Sequence, residues 1–274
     1  MKKILLAFDG VNFSEGAFEF ARHMNERSPI LLTGVFLPQI QLANLWSYAA
    51  GTSGNIFIPL VEDEDAEAVQ RNISIFESLC KKNKIEFSIH KNFFDFALPA
   101  LKKETRFADL LIIGSESFYN NLGANQLNEN VRDALHASEC PVLVVPENYR
   151  FPNSNILTYD GSDDSVYAIK QFTYLFPELT RNTTLLVYAK ENFDKEFPEE
   201  SCIEELAARH FPDLSLYKLP VNPKKFFTSW ANEKKGSILV SGAFSRSVLS
   251  QIFKKSFVTD VIRDHKLPVF IAHR

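Results

Sequence analysis

Two polar stops punctuate this sequence. Asp9-Gly10 closes the apolar run Leu5-Leu6-Ala7-Phe8, and Asp160-Gly161 closes Ile156-Leu157-Thr158-Tyr159. An aspartate followed by glycine at a strand end turns the chain and starts a helix, because its carboxylate accepts backbone N–H groups that the first turn leaves unpaired. Two glycines, Gly114 and Gly242, end further apolar runs. A glycine there either makes a tight strand exit or lets backbone N–H groups come close to an anion. Ser115 sits in Gly-Ser-Glu-Ser rather than Gly-x-Ser-x-Gly, so it is not set up as a hydrolase nucleophile. The six histidines (His23, His90, His136, His210, His265, His273) have neither HExxH nor paired ligand spacing and read as surface or helix-end residues. Asp63-Glu64-Asp65 reads as a solvated helix start. No catalytic set and no metal site is expected.

The elements that must hold these residues are clearest in Ala108–Pro146. Asp109–Ile113 is a strand ending on Gly114-Ser115, and a polar segment runs from Glu116 to about Gln126. Leu127, Val131, Ala134 and Leu135 then fall at helical spacing, and Val142–Val145 is a strand between Pro141 and Pro146. This strand, loop, helix and strand form the unit of a parallel sheet. Gly236–Arg274 repeats it, with Gly242 lying 128 residues after Gly114 and Pro268 lying 127 after Pro141.

Upstream, Lys3–Phe8 and Ile30–Leu37 are strands around a helix with Phe13, Ala17, Phe20, Ala21 and Met24 on one face, capped by Asn12 or Ser14. Glu62–Lys84 is a long helix, Glu86–Lys91 a strand and Phe96–Thr105 a helix. The second half restarts near Asn155, where Asp160 answers Asp9, and runs through strands at Thr184–Ala189 and Leu214–Leu219 with helices near Glu199–Arg209 and Pro223–Glu233. The expected organisation is two α/β domains, 1–147 and 154–274, joined by a short linker. The first domain carries an insertion at about 38–61, where Leu42, Leu45, Trp46, Tyr48, Phe57 and Ile58 are too apolar for a solvated loop and are expected either to fold over the first half's cleft or to pack on a partner. Right-handed crossovers bring the Asp9 and Gly114 strand ends to one carboxyl edge.

The chain has 274 residues, 45% of them hydrophobic and 23% charged, which is enough for two full cores. A net charge of −4 argues against a general nucleic-acid or anionic-membrane binder. Cys80, Cys140 and Cys202 lack disulfide or zinc spacing and read as reduced thiols. Asp9 interrupts the N-terminal apolar run too early for a signal peptide, and no window has the length of a membrane span, so a cytoplasmic location is expected.

Tandem α/β repeats with an Asp ending strand one, a Gly ending strand four and a Pro-Val-apolar last strand resemble the universal stress protein family over essentially the whole chain. The resemblance implies two adenine-nucleotide α-hydrolase-like, Rossmann-like sheets of strand order 3-2-1-4-5. It also implies contacts from Asp9 and Asp160 to the adenosine part of a nucleotide, beside their plainer role as turn residues. Nucleotide-binding members carry Gly-x2-Gly-x9-Gly-(Ser/Thr) after strand four. In this chain the first repeat keeps Gly114, with Ser115 beside it, but has Ser117 at the second glycine position and Leu127-Asn128 at the last pair. It has no Lys or Arg between Arg106 and Arg132, and Glu116 adds negative charge. The second repeat keeps Gly242, has Ser245 for the second glycine and Lys255-Ser256 for the last pair, with Arg246 and Lys254 adding positive charge.

The repeats are therefore unequal. The expected role is a non-catalytic stress-response protein that acts through unidentified protein partners and requires no cofactor. The alternative is an ATP-binding module or slow ATPase, with magnesium, that uses the second repeat. The apolar last strands Val142–Val145 and Val269–Ala272 would aggregate if bare. Their pairing inside one chain gives a pseudo-dimer, which would exist as a monomer or as a homodimer of such chains.

Overall fold

The structure, a computed structural model, describes residues 1–9, 12–37, 63–91, 97–116, 134–189, 197–219, 223–242 and 257–273. The first half comprises β1 (Lys2–Phe8), α1 (Glu15–Arg27), β2 (Ile30–Phe36), α2 (Asp63–Lys82), β3 (Glu86–Lys91), α3 (Ala97–Thr105), β4 (Leu110–Gly114) and β5 (Val142–Val145), with residues 134–137 helical before β5. The second half comprises β6 (Ser154–Thr158), α4 (Asp163–Leu175), a 3-10 turn at Leu179–Arg181, β7 (Thr183–Ala189), α5 (Glu200–His210), β8 (Leu214–Leu219), α6 (Pro223–Glu233), β9 (Ser237–Ser241), α7 (Phe257–Arg263) and β10 (Val269–Ile271). The insertion at 38–61, with its six apolar residues, lies outside the described residues.

The ten described strands form one sheet in the order β3-β2-β1-β4-β5-β10-β9-β6-β7-β8. Each half is parallel and runs 3-2-1-4-5, as the resemblance implied. The halves meet where β10 pairs antiparallel with β5, in the register Val269 to Val144, Phe270 to Leu143 and Ile271 to Val142. The two apolar last strands cover one another, so among the described strands the edges of the sheet are β3 and β8. Both carry mixed burial patterns rather than unbroken apolar runs.

Parallel strands covered on both faces need apolar residues at every position. β4 and β5 meet this literally, being buried from end to end. One face packs Phe8, Phe18, Phe20, Phe36 and Phe76 and continues without a break into Phe172, Phe176, Phe211 and Phe270 of the second half. At the join, the Phe270 ring lies 5.5 Å from Phe172 and 5.7 Å from Phe176, and Phe20 lies 6.1 Å from Phe176, all edge-on. The other face likewise runs through both halves, from Leu111 and Val142 to Leu239, Val269 and Val261. Many of the phenylalanines thus lie in a single continuous layer that welds the repeats together.

Candidate functional site

The carboxyl edges of the two half-sheets hold the residues that the sequence singles out. In the first half, β1 ends on Asp9, which is 5% exposed. Its Oδ1 accepts from the Asn12 backbone N–H at 2.7 Å and its Oδ2 from Asn12 Nδ2 at 2.7 Å. Of the two capping residues expected, Ser14 is the one that caps α1, accepting from Ala17 N at 3.2 Å, while Asn12 serves Asp9. Both oxygens of Asp9 are engaged in the turn.

A second carboxylate holds the start of α1. Glu147, just past β5, accepts from Ser14 Oγ at 2.5 Å through Oε1 and from the Gly16 backbone N–H at 2.8 Å through Oε2. The helix dipole favours an anion at this place. The approach requires glycine, because a Cβ on Gly16 would lie 2.3 Å from Pro146 O. A third carboxylate closes the edge. Glu116 Oε2 accepts from the Glu147 backbone N–H at 2.7 Å and from Ser115 Oγ at 3.1 Å. Ser115, 6% exposed, also lies 2.7 Å from Nδ1 of His265. A serine hydroxyl has one hydrogen, and that of Ser115 goes to Glu116, so His265 Nδ1 carries a hydrogen and donates to Ser115.

His265 belongs to the second half, in the turn between α7 and β10, where it takes a left-handed φ of 49°. The antiparallel join folds this turn over the carboxyl edge of the first half. At that edge, the start of α1, the Ser115 hydroxyl and the Glu147 amide are all engaged by the protein's own carboxylates. Ser115 N is committed too, to Val145 O at 2.9 Å.

The second half differs. Asp160 is exposed, and the bonds to it from Ser162, N at 2.9 Å and Oγ at 2.5 Å, both go to Oδ1. Ser162 caps α4 through Ser165 N at 3.2 Å. Gly161, at φ +85°, makes the turn. Gly242 packs directly on the first turn of α4, where a Cβ would lie 2.1 Å from Asp164 O. Close packing alone accounts for this glycine. Tyr159 leads into the edge, its hydroxyl donating to Pro198 O at 2.9 Å and its ring stacking on Phe197 at 5.7 Å.

Ser117, Ser245, Arg246, Lys255 and Ser256, together with Leu127-Asn128, lie outside the described residues. The structure therefore brings Asp9, Gly114 and Ser115 to one edge, and Asp160 and Gly242 to the other. Sequence reasoning missed Asn12, Glu147 and His265. Asn12 and Ser14 were indistinguishable by spacing. Glu147 read only as the end of the first domain, and nothing local shows that His265 crosses to the other repeat. Among the described residues no cluster of three or more His, Cys, Asp or Glu could hold a metal. Burial pushes the Cys80 and Cys140 thiols up to about 12, so neither is a nucleophile near neutral pH. No described helix is long and apolar enough to cross a membrane.

No protein-family model and no curated protein sequence matches the chain. Solved structures do. A universal stress protein from Archaeoglobus fulgidus DSM 4304 superposes with a TM-score of 0.70 at 17% identity, covering 100% of this chain and 96% of the other. A functionally unknown protein from Pseudomonas aeruginosa PAO1 gives 0.60 at 13%, covering 100% and 92%. A putative universal stress protein from Pseudomonas aeruginosa UCBPP-PA14 gives 0.58 at 13%, covering 100% and 93%. The fold is α/β and Rossmann-like. From one end of the chain to the other it is the fold of a tandem universal stress protein.

Proposed function

We propose that this chain is a universal-stress-type protein of two domains, 1–147 and 154–274, whose first domain has lost nucleotide binding. Its role is regulatory and non-catalytic, exerted in the cytoplasm through protein partners. The observation that carries this reading is the filled edge of the first half. Glu147 holds the start of α1 and Glu116 holds Ser115 and the Glu147 amide, so two carboxylates line the first-half edge and would repel a triphosphate brought to it. Asp9, the family's adenosine contact, commits both oxygens to Asn12.

A second reading, ATP with magnesium in the second domain, is favoured by the exposed Asp160, whose described bonds use one oxygen. Ser245, Arg246, Lys255 and Ser256 would complete that site. Calorimetric titration of ATP·Mg²⁺ into nucleotide-stripped protein, with a hydrolysis assay alongside, separates the two readings. No binding and no turnover supports the scaffold. Binding of one equivalent that is lost in Asp160→Ala and Ser256→Ala supports the second-domain site. Turnover at enzymatic rates would sink the regulatory reading.

A further inference from the structure

Among the described strands the sheet ends at β3 and β8, and the two edges are not alike. The exposed residues of β3 are Glu86 and Lys91, charges of the kind that guard a bare edge. Those of β8 are Ser215 and Tyr217, both uncharged. Of the large apolar side chains exposed among the described residues, Tyr217 is the one that lies in a strand, and it is 43% exposed. Its ring is held in place, stacked on Trp230 of α6 at 5.9 Å with 9° between the planes. A fixed aromatic side chain left open to solvent is the type that anchors interfaces.

The direction of the β8 backbone groups follows from its pairing. The Thr184 N–H donates to Asp213 O at 2.8 Å, and β8 lies parallel to β7 with Thr184 opposite Leu214. Along a strand, alternate residues turn both backbone groups to the same side. Asp213, Ser215 and Tyr217 therefore turn theirs to β7, and Leu214, Leu216 and Lys218 turn theirs out of the sheet.

This outward row is symmetric about Leu216. A second β8 laid antiparallel on it, with a two-fold axis at Leu216, pairs Leu216 with Leu216 and Leu214 with Lys218 in both directions. Such pairs exchange both of their N–H···O bonds, so every outward group is used. Tyr217 then falls opposite Ser215 of the second copy, in the closer kind of pair, with about 4.5 Å between Cα atoms. The small serine leaves room for the ring, and the exposed tyrosine becomes covered. Lys218 faces a leucine, over which its stem can lie, and no like charge. The helix beside the edge is self-complementary too. α5 packs on β8 and carries Glu200 in its first turn and Arg209 and His210 in its last. The two-fold sets the two α5 helices antiparallel, with the acidic start of each toward the basic end of the other. The chain already closes one edge in this manner, where β10 lies antiparallel on β5. We infer that β8 is a homodimerisation edge whose occupant is β8 of a second copy of this chain, paired antiparallel about Leu216. The dimer needs no nucleotide and is independent of whether ATP binds.

Sedimentation of the full chain over a concentration series reaching the submillimolar range should show a reversible monomer–dimer equilibrium. Hydrogen exchange on the same samples locates the contact. On dimerisation the amides of Leu214, Leu216 and Lys218 should gain protection, while those of Ser215 and Tyr217, turned to β7, should be protected throughout. Leu216→Pro removes an outward N–H and no bond to β7, so it should give a folded monomer. Arg209→Glu, at an exposed position, should weaken the dimer about tenfold, and adding Glu200→Arg should restore it. A chain that stays monomeric throughout the series would overturn the assignment. So would a dimer that survives in folded Leu216→Pro, a dimer indifferent to the charge reversal, or protection gained along β3 in place of β8. If the proline variant does not fold, the exchange pattern and the charge swap decide.

Discussion

Ser115 and His265, 150 residues apart in sequence and in different repeats, meet at 2.7 Å over the carboxyl edge of the first half. The contact exists because β10 runs antiparallel to β5, which carries the turn before β10 across the join. The first-half edge is therefore built by both repeats. A chain consisting of the first repeat alone would lack His265, and would also expose β5.

The join itself is the first test. Phe270 is fully buried and touches Phe172 and Phe176. Phe270→Ala should cost about 3–5 kcal/mol by the usual cost of large-to-small core changes. Because the apolar layer is continuous, the loss should appear as a shift of one common unfolding transition in denaturant. Two transitions, with the first half unaffected, would contradict a shared core.

Gly242 offers a sharper steric test. A Cβ there would lie 2.1 Å from Asp164 O, a backbone atom that cannot swing away. Gly242→Ala should destabilise by about 1–3 kcal/mol, the usual range for overpacking. The loss should appear in protein without any nucleotide. An alanine variant as stable as the parent would show that the glycine is there for something other than packing.

The two aspartates should behave differently. Asp9 is buried with both oxygens bonded, so Asp9→Ala strands the Asn12 donors and should cost about 1–3 kcal/mol. Asp160 is exposed, and Ser162 still caps α4 without it, so Asp160→Ala should stay within about 0.5 kcal/mol. Chemical denaturation of the two variants side by side checks this. Equal losses would remove the distinction between the edges.

The repeat and the apolar last strands were legible in the sequence because parallel strands buried on both faces need unbroken apolar runs, which Leu110–Ile113 and Val142–Val145 supply, whereas the strand order was implied only by the family resemblance. The Asp-Gly stops marked the strand ends for an equally local reason, the chemistry of the turn. What Asp9 and Gly242 do there was open, since a turn residue and a ligand contact use the same residue types. The structure gives each a local partner, Asn12 for the one and the Asp164 backbone for the other. Glu147 and His265 gave no local signal, because each acts on a residue more than a hundred positions away.

The thiols of buried Cys80 and half-buried Cys140 give a pH signature. Burial raises Cys80 and Cys140 from 9.0 to about 12 in the folded protein. Unfolded thiols ionise near 9 and folded ones do not, so the unfolded state holds fewer protons above that pH. Stability from these groups is full below about 9 and falls as pH rises toward 12. Cys80→Ala with Cys140→Ala should flatten that part of the stability profile. In native protein at pH 8, an alkylating reagent should modify exposed Cys202 and spare the other two. Rapid modification of all three would contradict the burial.

The most direct test of the central claim, that the first half's own carboxylates fill its edge, is the stoichiometry of ATP·Mg²⁺ binding by calorimetry on nucleotide-stripped protein. The account predicts either no heat, or one equivalent per chain that Asp160→Ala abolishes and Ser115→Ala leaves intact. Two equivalents per chain, or one equivalent lost in Ser115→Ala but retained in Asp160→Ala, would place a nucleotide where Glu116 and Glu147 sit and would contradict it.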